Sequence, residues 1–451
     1  MLSSHRVLMG VLLIGNTIAF AGVDPISRAV TAGLVVAVIA TMPKIPDIPL
    51  VHRWCAALLG ALAVVQLVPL PETVRSLLQP GYVGIYPESW SSLSLAQWST
   101  VQVAASIVVA LGVALGAARM ASARTGLPIL IAMLAGVCAL LAVLGIGGEA
   151  GTPQNVLLFR ANSGGGSVYG PFVNTNHFAL AIELSLPAAL VLVAGGVRQF
   201  SHRGLVRQRA AVMVLAGSVV AAVGFAAMLR CGSRGGILFL VVAGILTVPL
   251  WRQPTSSRNW PWVSLIFVSL LVTALLAFSR LSSIRDDFTT LLAIEGVEGN
   301  TRWDLWRGTV DSWLRAPVPG SGMGTYRYVI GLDKPATNTS ILAQAHNDWL
   351  EWLSTSGLVG FGILLVFVGA LVVFLWPGRV RRLRHEYRYP LAGAAFALLA
   401  TGMHELIGFG LQTPLNRYLL ASWIGLVWGI DSRRRRRSEE SLGESYDDEP
   451  D

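Results

Sequence analysis

Long blocks of apolar residues fill most of this 451-residue chain and limit what it can fold into. About twelve of them approach the roughly 20 residues that a helix needs to cross a hydrocarbon core of about 30 Å. The blocks lie near residues 7–23, 27–43, 54–70, 101–118, 128–146, 174–195, 209–229, 234–251, 261–279, 353–376, 391–410 and 415–430. Proline and glycine within them are tolerated because neighbouring helices satisfy the freed backbone groups. The sequence therefore predicts an all-α polytopic membrane protein with about 12 transmembrane helices.

The placement of basic residues predicts the orientation of these helices. If the N-terminus is cytoplasmic and the spans alternate, 21 of the 34 Lys and Arg residues fall on the cytoplasmic side, as the positive-inside rule expects. An even number of spans then returns the C-terminus to the cytoplasm. The net charge of +9 thus indicates membrane topology. A nucleic-acid partner is not expected, because the chain has no basic soluble domain to bind one.

Four parts of the chain follow from this topology. Residues 1–279 are predicted to hold transmembrane helices 1–9, and residues 353–430 helices 10–12. Between them, residues 280–352 form a long periplasmic loop with helix-like stretches such as residues 301–314, and loops of this length are usually functional. Residues 431–451 form a cytoplasmic tail that is first basic and then acidic, and residues 438–451 are expected to be disordered.

Three short polar stretches interrupt the apolar pattern, at residues 231–236, 300–303 and 346–348. Ionisable groups are costly beside hydrocarbon, so their clustering at the ends of apolar spans is a functional-site hypothesis. On the predicted topology all three stretches face the outer side of the membrane. We therefore expect them to form one site at the outer leaflet.

The first two stretches each offer an arginine. Arg234 follows Ser233, a good N-cap, and precedes two glycines at the start of a membrane helix, an arrangement suited to binding an anion. Arg230 lies one turn earlier and is a candidate to join it. On a helix, Arg302 shares a face with Trp306. The alternatives are that Arg234 extends to lipid headgroups and that Arg302 belongs to an interfacial amphipathic helix.

His346 is the candidate for proton transfer. A histidine with a pKa near neutrality can take a proton from a hydroxyl, and a neighbouring carboxylate such as Asp348 can orient its ring. The alternative is a structural, hydrogen-bonding histidine, which leaves Asp348 or Glu351 as the base. Nine residues separate Asn347 from Gly357, which with Gly360 is expected to allow close helix packing.

Asparagines and buried ionisable residues complete the candidates. Asn174 and Asn176 precede the sixth span, where they are suited either to bind sugar hydroxyls or to cap the helix. Glu183, His404 and Glu405 lie within predicted spans, and we interpret them as partners in interhelical hydrogen bonds.

Taken together, these motifs resemble the O-antigen ligase and polymerase superfamily, whose members handle polyprenyl-diphosphate-linked glycans. The resemblance covers about residues 170–430. It depends on residues 170–178, on Ser233, Arg234 and Gly235, on residues 301–306 with the following 320–324, and on the His346-Asn347 pair nine residues before the Gly357-x-x-Gly360 motif. This last pattern resembles the signature of O-antigen ligases.

The resemblance implies a metal-independent, cofactor-free glycosyltransferase of the bacterial inner membrane. Arg234 and Arg302 would hold the diphosphate of an undecaprenyl-diphosphate-linked donor, and His346 would be the general base. Arg230, Asn174, Asn176, Asn347 and Asp348 would contact substrate. The ligase-like pattern favours lipid A-core as the acceptor.

Two other functions stay open at this point. A polymerase would use a second lipid-linked glycan as its acceptor, and other relatives modify proteins. A flippase for lipid-linked glycans or a solute transporter belongs to a different class. It is expected to place ionisable residues in mid-membrane and to show internal repeats, whereas this sequence gathers them at one face.

Overall fold

The computed structural model describes residues 3–85, 91–148, 155–157, 160–161, 168–199, 204–251, 302–333 and 343–447. The α-helices in these ranges are α1 (Ser4–Ile18), α2 (Pro25–Ala40), α3 (Leu50–Leu67), α4 (Glu72–Leu78), α5 (Gln97–Ser122), α6 (Gly126–Gly148), α7 (Thr175–Gln199), α8 (Leu205–Arg230), α9 (Arg234–Trp251), α10 (Arg302–Leu314), α11 (Tyr326–Val329), α12 (Asp348–Leu375), α13 (Pro377–Val380), α14 (His385–His404) and α15 (Pro414–Asp447). Short 3₁₀ turns occupy Phe20–Gly22, Pro80–Tyr82, Ile330–Asp333 and Gly410–Gln412. Strands β1 (Asn155–Val156) and β2 (Arg160–Ala161) form one small antiparallel pair.

Seven of the described helical segments are long and apolar enough to cross a membrane. They are α3, α5, α6, α7, α8, α9 and the continuous stretch Asp348–Val380, while α2 is apolar but shorter. The prediction of an all-α polytopic membrane protein is therefore confirmed. The number twelve stays a prediction, because helices also cover the blocks near 7–23, 391–410 and 415–430 but fall outside these seven, and the block at 261–279 lies outside the described residues.

Helix α7 is the centre of the bundle. In its membrane-crossing stretch 89% of the residues are buried, against 17% for Asp348–Val380, which lies at the periphery. Helices α6, α8 and α14 pack around α7, and α15 packs along α5. The Trp423 indole nitrogen of α15 donates to the Leu184 carbonyl of α7 at 2.6 Å. This central helix begins at the polar end of the bundle, where the candidate residues lie.

The opposite end of the bundle is rich in arginine. The Arg388 Nε atom donates to the Leu250 carbonyl at 2.8 Å, and the Arg433 guanidinium lies 5.2 Å from the centre of the Tyr387 ring. Arg435 pairs with Asp431 one turn earlier on α15, at 2.8 Å. Such a pair stabilises the helix locally, and α15 continues through Asp447. The prediction of disorder from residue 438 onward is therefore wrong for residues 438–447.

The described part of the predicted periplasmic loop has a fold of its own. Helix α10 confirms the helix predicted for residues 301–314. The Tyr326 and Thr309 hydroxyls are 2.7 Å apart and join α11 to α10. The turn at residues 317–324 follows α10, and its backbone bonds to α12: Leu358 N–H donates to the Pro317 carbonyl at 2.9 Å. Helix α10, which holds Arg302, is thereby fixed to the helix that follows His346.

Gly357 is the residue that permits this attachment. Its φ of +65° and ψ of −171° break the helical conformation inside α12, in a region that only glycine occupies readily. A Cβ atom at Gly357 would lie 2.5 Å from the Gly320 nitrogen and against the Val318 carbonyl oxygen. Gly360 in turn packs closely against Ser356 and, from α3, Leu62. The expectation of close helix packing is confirmed for Gly360, whereas Gly357 packs closely against the turn at residues 317–324.

Replacement of Gly357 by alanine is expected to destabilise the protein. The strained backbone alone costs about 1–3 kcal/mol, to which the overlap with Val318 and Gly320 adds. The apparent midpoint of thermal unfolding in detergent should fall clearly below that of the wild type. Gly362→Ala is the matched control, because Gly362 lies in the same helix with open space around it, where alanine is the better helix former. Equal midpoints for the two variants would contradict the role given to Gly357.

Candidate active site

Several helices contact the connection between α14 and α15, residues 405–413, at the end of the bundle that holds the polar candidate residues. Asp348 N–H, at the start of α12, donates to the carbonyls of Glu405 and Gly408 at 3.1 Å each. Asn416 Nδ2, from the first turn of α15, donates to the carbonyls of His177 and Gly410 at 3.0 Å each. The N-terminal ends of α7, α12 and α15 are therefore bound together at this connection.

The turn before α9 joins the same end. The Ser233 hydroxyl accepts a bond from Gly236 N–H at 3.2 Å, so Ser233 is the N-cap that the sequence predicted. The same hydroxyl donates to Asn176 Oδ1 at 2.7 Å. Gly235 leaves room for the connection to approach, since a Cβ atom there would lie 3.0 Å from the Ile407 side chain. Arg234, half-buried, is thus the first residue of a helix that begins beside the connection.

The two asparagines before α7 have structural contacts. Asn174 Oδ1 accepts from Asn176 N–H at 2.8 Å, which caps the start of α7. Asn176 Oδ1 accepts from Ser233, which ties α7 to the α9 turn. Of the two interpretations offered by the sequence, the structure displays helix capping for Asn174. Contact with a sugar stays a prediction for both residues.

His346 is held in an unusual conformation at the edge of the connection. Its φ is +50°, in the left-handed region that side chains rarely adopt. Its ring packs edge-to-face on Phe409, with the ring centres 4.5 Å apart, and the His177 ring contacts Phe409 at the same distance. The Phe409 ring therefore contacts both imidazole rings, and through it the connection contacts the candidate base.

Arg302 acts electrostatically on His346. Burial first, and then the positive charge of Arg302, lower the pKa of His346 to about 4. The expectation of a pKa near neutrality is therefore wrong for this protein without substrate, because both effects disfavour the imidazolium. At neutral pH the imidazole is uncharged, which is the form that can accept a proton.

The residues that follow His346 begin α12. Asn347 Oδ1 accepts from Leu350 N–H at 3.0 Å, so Asn347 is the N-cap of α12. Asp348 Oδ1 accepts from Gln412 Nε2 at 3.3 Å. The carboxylate expected to orient His346 is thus engaged with the α14–α15 connection, and in the structure the His346 ring is packed by Phe409.

The described residues of the three polar stretches therefore lie at one end of the bundle. Residues 218–365 match the O-antigen ligase family. This match supports a relationship to the O-antigen ligase-like superfamily over those residues. No curated protein matches it as a relative. The match supports a membrane glycosyltransferase of the O-antigen ligase or polymerase type, whose partners are in general a lipid-linked glycan and an acceptor.

The O-antigen ligase domain covers about one third of the chain. It contains Arg230, Arg234, Arg302 and His346, together with α12 as far as residue 365. Arg230 is exposed at the last turn of α8, one turn before Arg234. Asn174, Asn176 and the α14–α15 connection lie outside the matched region. The site thus combines the O-antigen ligase domain with segments on both sides of it.

The buried ionisable residues near the O-antigen ligase domain are partly explained by helix packing. His404 Nδ1 and Glu183 Oε1 are 2.9 Å apart between α14 and α7, and both side chains are almost fully buried. Glu405 Oε2 accepts from Gly410 N–H at 3.0 Å, within the connection itself. The Glu405 carboxyl group also hydrogen-bonds to that of Asp348 at the start of α12. The predicted interhelical hydrogen bonds are therefore confirmed for Glu183, His404 and Glu405.

The sequence did not predict Phe409 and Gln412 as parts of this site, whereas His177 lies in the 170–178 motif. The connection carries one visible signal, since residues 408–414 bring glycine, glutamine, threonine and proline between two apolar blocks. That pattern indicates a turn at a membrane surface. It does not indicate that a residue of this turn, Phe409, packs against His346, which lies in the matched region.

Proposed function

We propose that the protein transfers a glycan from an undecaprenyl-diphosphate carrier to a hydroxyl of lipid A-core, at the outer leaflet of the bacterial inner membrane. The proposal rests above all on one observation: His346 lies within electrostatic reach of Arg302, at the bundle end where Arg234 begins α9. Two arginines and a neutral imidazole at one membrane-facing end supply what a metal-independent, inverting transfer requires.

In the proposed reaction the acceptor oxygen forms a bond to the anomeric carbon of the donor glycan. The bond between that carbon and the diphosphate oxygen breaks, and undecaprenyl diphosphate leaves with the electron pair. His346 takes the proton of the attacking hydroxyl as general base. Attack opposite the leaving group inverts the anomeric configuration.

Arg302 and Arg234 are proposed to stabilise the negative charge that develops on the leaving diphosphate. A guanidinium presents a planar fork of donors that matches phosphate oxygens and stays charged throughout. Stabilisation of this kind acts where charge develops in the transition state, so it accelerates the chemical step. Arg230, exposed one turn earlier, is proposed to contact the donor at the membrane surface.

The remaining candidates are proposed to shape the substrate pocket. Asn176, half-buried beside Ser233, is placed to present its amide nitrogen to a sugar, since its oxygen is already bonded. Asn174 and Asn347 cap helices and hold the neighbouring groups in position, and Asp348 lies half-buried beside the base. No separate cofactor is part of this proposal.

The orientation of the protein is tested by cysteine labelling. Leu314, 57% exposed at the end of α10, is replaced by cysteine, and Arg384, at the arginine-rich end, serves as the matched control. The native residues Cys55, Cys138 and Cys231 are buried, so their background should be low. A membrane-impermeant thiol reagent should label position 314 in intact spheroplasts and position 384 only after permeabilisation. The opposite pattern would place the site in the cytoplasm and remove the proposed function.

The reaction itself is tested with purified protein and a synthetic undecaprenyl-diphosphate glycan. Release of undecaprenyl diphosphate that depends on added lipid A-core supports the ligase. Release that depends on a second lipid-linked glycan, with a lengthened chain as product, identifies the polymerase instead. Movement of the donor between leaflets without cleavage would identify a flippase, and uptake of a small solute a transporter. The family match supports both the ligase and the polymerase, and the His346-Asn347 pattern favours the ligase.

A further inference from the structure

We propose that Glu351 is a positioning residue that fixes His346 for proton transfer, with Gln412 as its link to the α14–α15 connection. The inference rests on the proposed function, because it assigns Glu351 a role that acts through the base. It concerns a carboxyl side chain on the first turn of α12 that reaches back to the backbone N–H of Ala345, the residue before His346.

The conformation of His346 has to be held by its surroundings. A left-handed conformation costs a non-glycine residue about 1–2 kcal/mol, and it persists only where neighbouring contacts favour it. Asn347 follows in an extended conformation and caps α12, which fixes the chain after His346. The chain before His346 needs a support of its own.

Glu351 supplies that support. Its Oε2 atom accepts from the backbone N–H of Ala345 at 2.8 Å, and Ala345 is fully buried. A buried N–H without an acceptor costs about 1–3 kcal/mol, so Glu351 favours the native placement of the Gln344–Ala345 peptide, one residue before His346. The carboxylate is therefore bonded to the residue directly before the base.

The second oxygen of Glu351 extends the support to the connection. Gln412 Nε2 donates to Glu351 Oε1 at 2.9 Å and to Asp348 Oδ1 at 3.3 Å. Gln412 lies three residues after Phe409, whose ring packs against His346. The Glu351–Gln412 pair thus links Ala345, the residue before His346, to the connection that carries the Phe409 ring.

The arrangement distinguishes a positioning residue from a second base. Both oxygens of Glu351 accept hydrogen bonds from groups that hold the fold, Ala345 N–H and Gln412 Nε2. A glutamine at position 351 can still accept from Ala345 through its carbonyl oxygen. The Gln412 amide can rotate to accept from the new NH₂ group, which loses only the longer 3.3 Å bond to Asp348 Oδ1. It cannot accept a proton from a substrate hydroxyl. The two roles therefore predict opposite results for Glu351→Gln.

The experiment measures donor turnover and donor KM for Glu351→Ala and Glu351→Gln in the full-length protein. Misplacement of a catalytic group by about 1 Å can cost roughly 10²-fold, so kcat should fall about 10- to 100-fold in Glu351→Ala with KM unchanged. Glu351→Gln should stay within about threefold of the wild type. Ser356→Ala is the control, because among the described residues the Ser356 hydroxyl bonds to the Trp352 carbonyl of its own helix and to no group near His346. If Glu351→Gln is as inactive as Glu351→Ala, Glu351 is itself the base and the inference is wrong.

A double-mutant cycle with His346→Ala separates this inference from the proposed function. If Glu351 acts through His346, Glu351→Ala should cause no further loss of kcat in the His346→Ala background. Independent, multiplying losses would overturn the positioning role while leaving His346 as the base. Full turnover in His346→Ala alone would instead overturn the proposed base. Should Glu351→Ala fail to fold, Gln412→Ala tests the same link, and a loss confined to kcat is again required.

Discussion

Replacement of His346 by alanine is expected to lower donor turnover by about 10²- to 10⁴-fold while donor binding is largely retained. The imidazole is proposed to remove one proton and to make no bond to the diphosphate, so its loss affects the chemical step. Turnover is measured as release of undecaprenyl diphosphate, and binding as retention of labelled donor on the detergent-solubilised protein. His385→Ala is the control, since His385 is exposed at the arginine-rich end of the bundle.

The pH dependence of turnover gives a second measurement of His346. Its pKa is lowered to about 4, so the free enzyme should keep the neutral base at every pH above this value. The acidic limb of kcat/KM is therefore expected near pH 4. The acidic limb of kcat reports the pKa of His346 in the enzyme–substrate complex. There the diphosphate anion stabilises the imidazolium and raises this pKa, so the limb of kcat should lie at higher pH than that of kcat/KM. Both limbs should disappear in His346→Ala. A loss of donor binding with an unchanged pH profile would make His346 a phosphate or structural ligand.

Replacement of Arg302 or Arg234 by alanine is expected to cost about 2–4 kcal/mol of transition-state stabilisation, or roughly 30- to 1000-fold in rate. Lysine keeps the charge and loses the planar fork, so it should restore only a small part of the rate. Arg307→Ala is the matched control for Arg302. Arg307 lies on the same helix with its guanidinium 5.5 Å from the centre of the Trp303 ring, and its loss should change turnover little.

Arg302 is expected to differ from Arg234 in one further respect. Its charge contributes to the low pKa of His346, so Arg302→Ala should raise that pKa and move the acidic limb of kcat/KM to higher pH. Arg302→Lys retains the charge and should leave the limb near pH 4 while the rate falls. Wild-type turnover in both alanine variants, with folded protein, would exclude the proposed diphosphate site. An unmoved limb in Arg302→Ala would show that burial alone sets the pKa of His346.

Much of the membrane architecture follows from sequence because it depends on local properties. The length of each apolar block predicted the helices, and the residue pattern at 301–314 predicted α10. The N-cap role of Ser233 and the close helix packing at Gly360 also follow from single residue types in short contexts. The gathering of the three polar stretches followed from alternation of the spans, which needs no knowledge of tertiary contacts.

The remaining features depend on contacts between residues far apart in sequence. No spacing indicates that Phe409 packs on His346, or that Gln412 joins Glu351 to the connection, because these pairs meet only after α14 and α15 have packed. The pKa of His346 was predicted near neutrality because its burial is not visible in the sequence. Helix capping was one of the two interpretations offered for Asn174, and the structure displays it. For Asn347 the resemblance implied only a substrate contact, and the residue caps α12.

The position of Phe409 has a consequence for how enzymes of this kind diverge. The ring that shields the candidate base comes from the α14–α15 connection, outside the stretch that matches the family. A change in this connection can therefore alter the polarity around His346, and with it the base strength, while every residue of the family motif is preserved. Two proteins with the same motif need not share a working pH range or a preferred acceptor. The residues that surround the base and the residues of the motif can therefore vary independently during evolution.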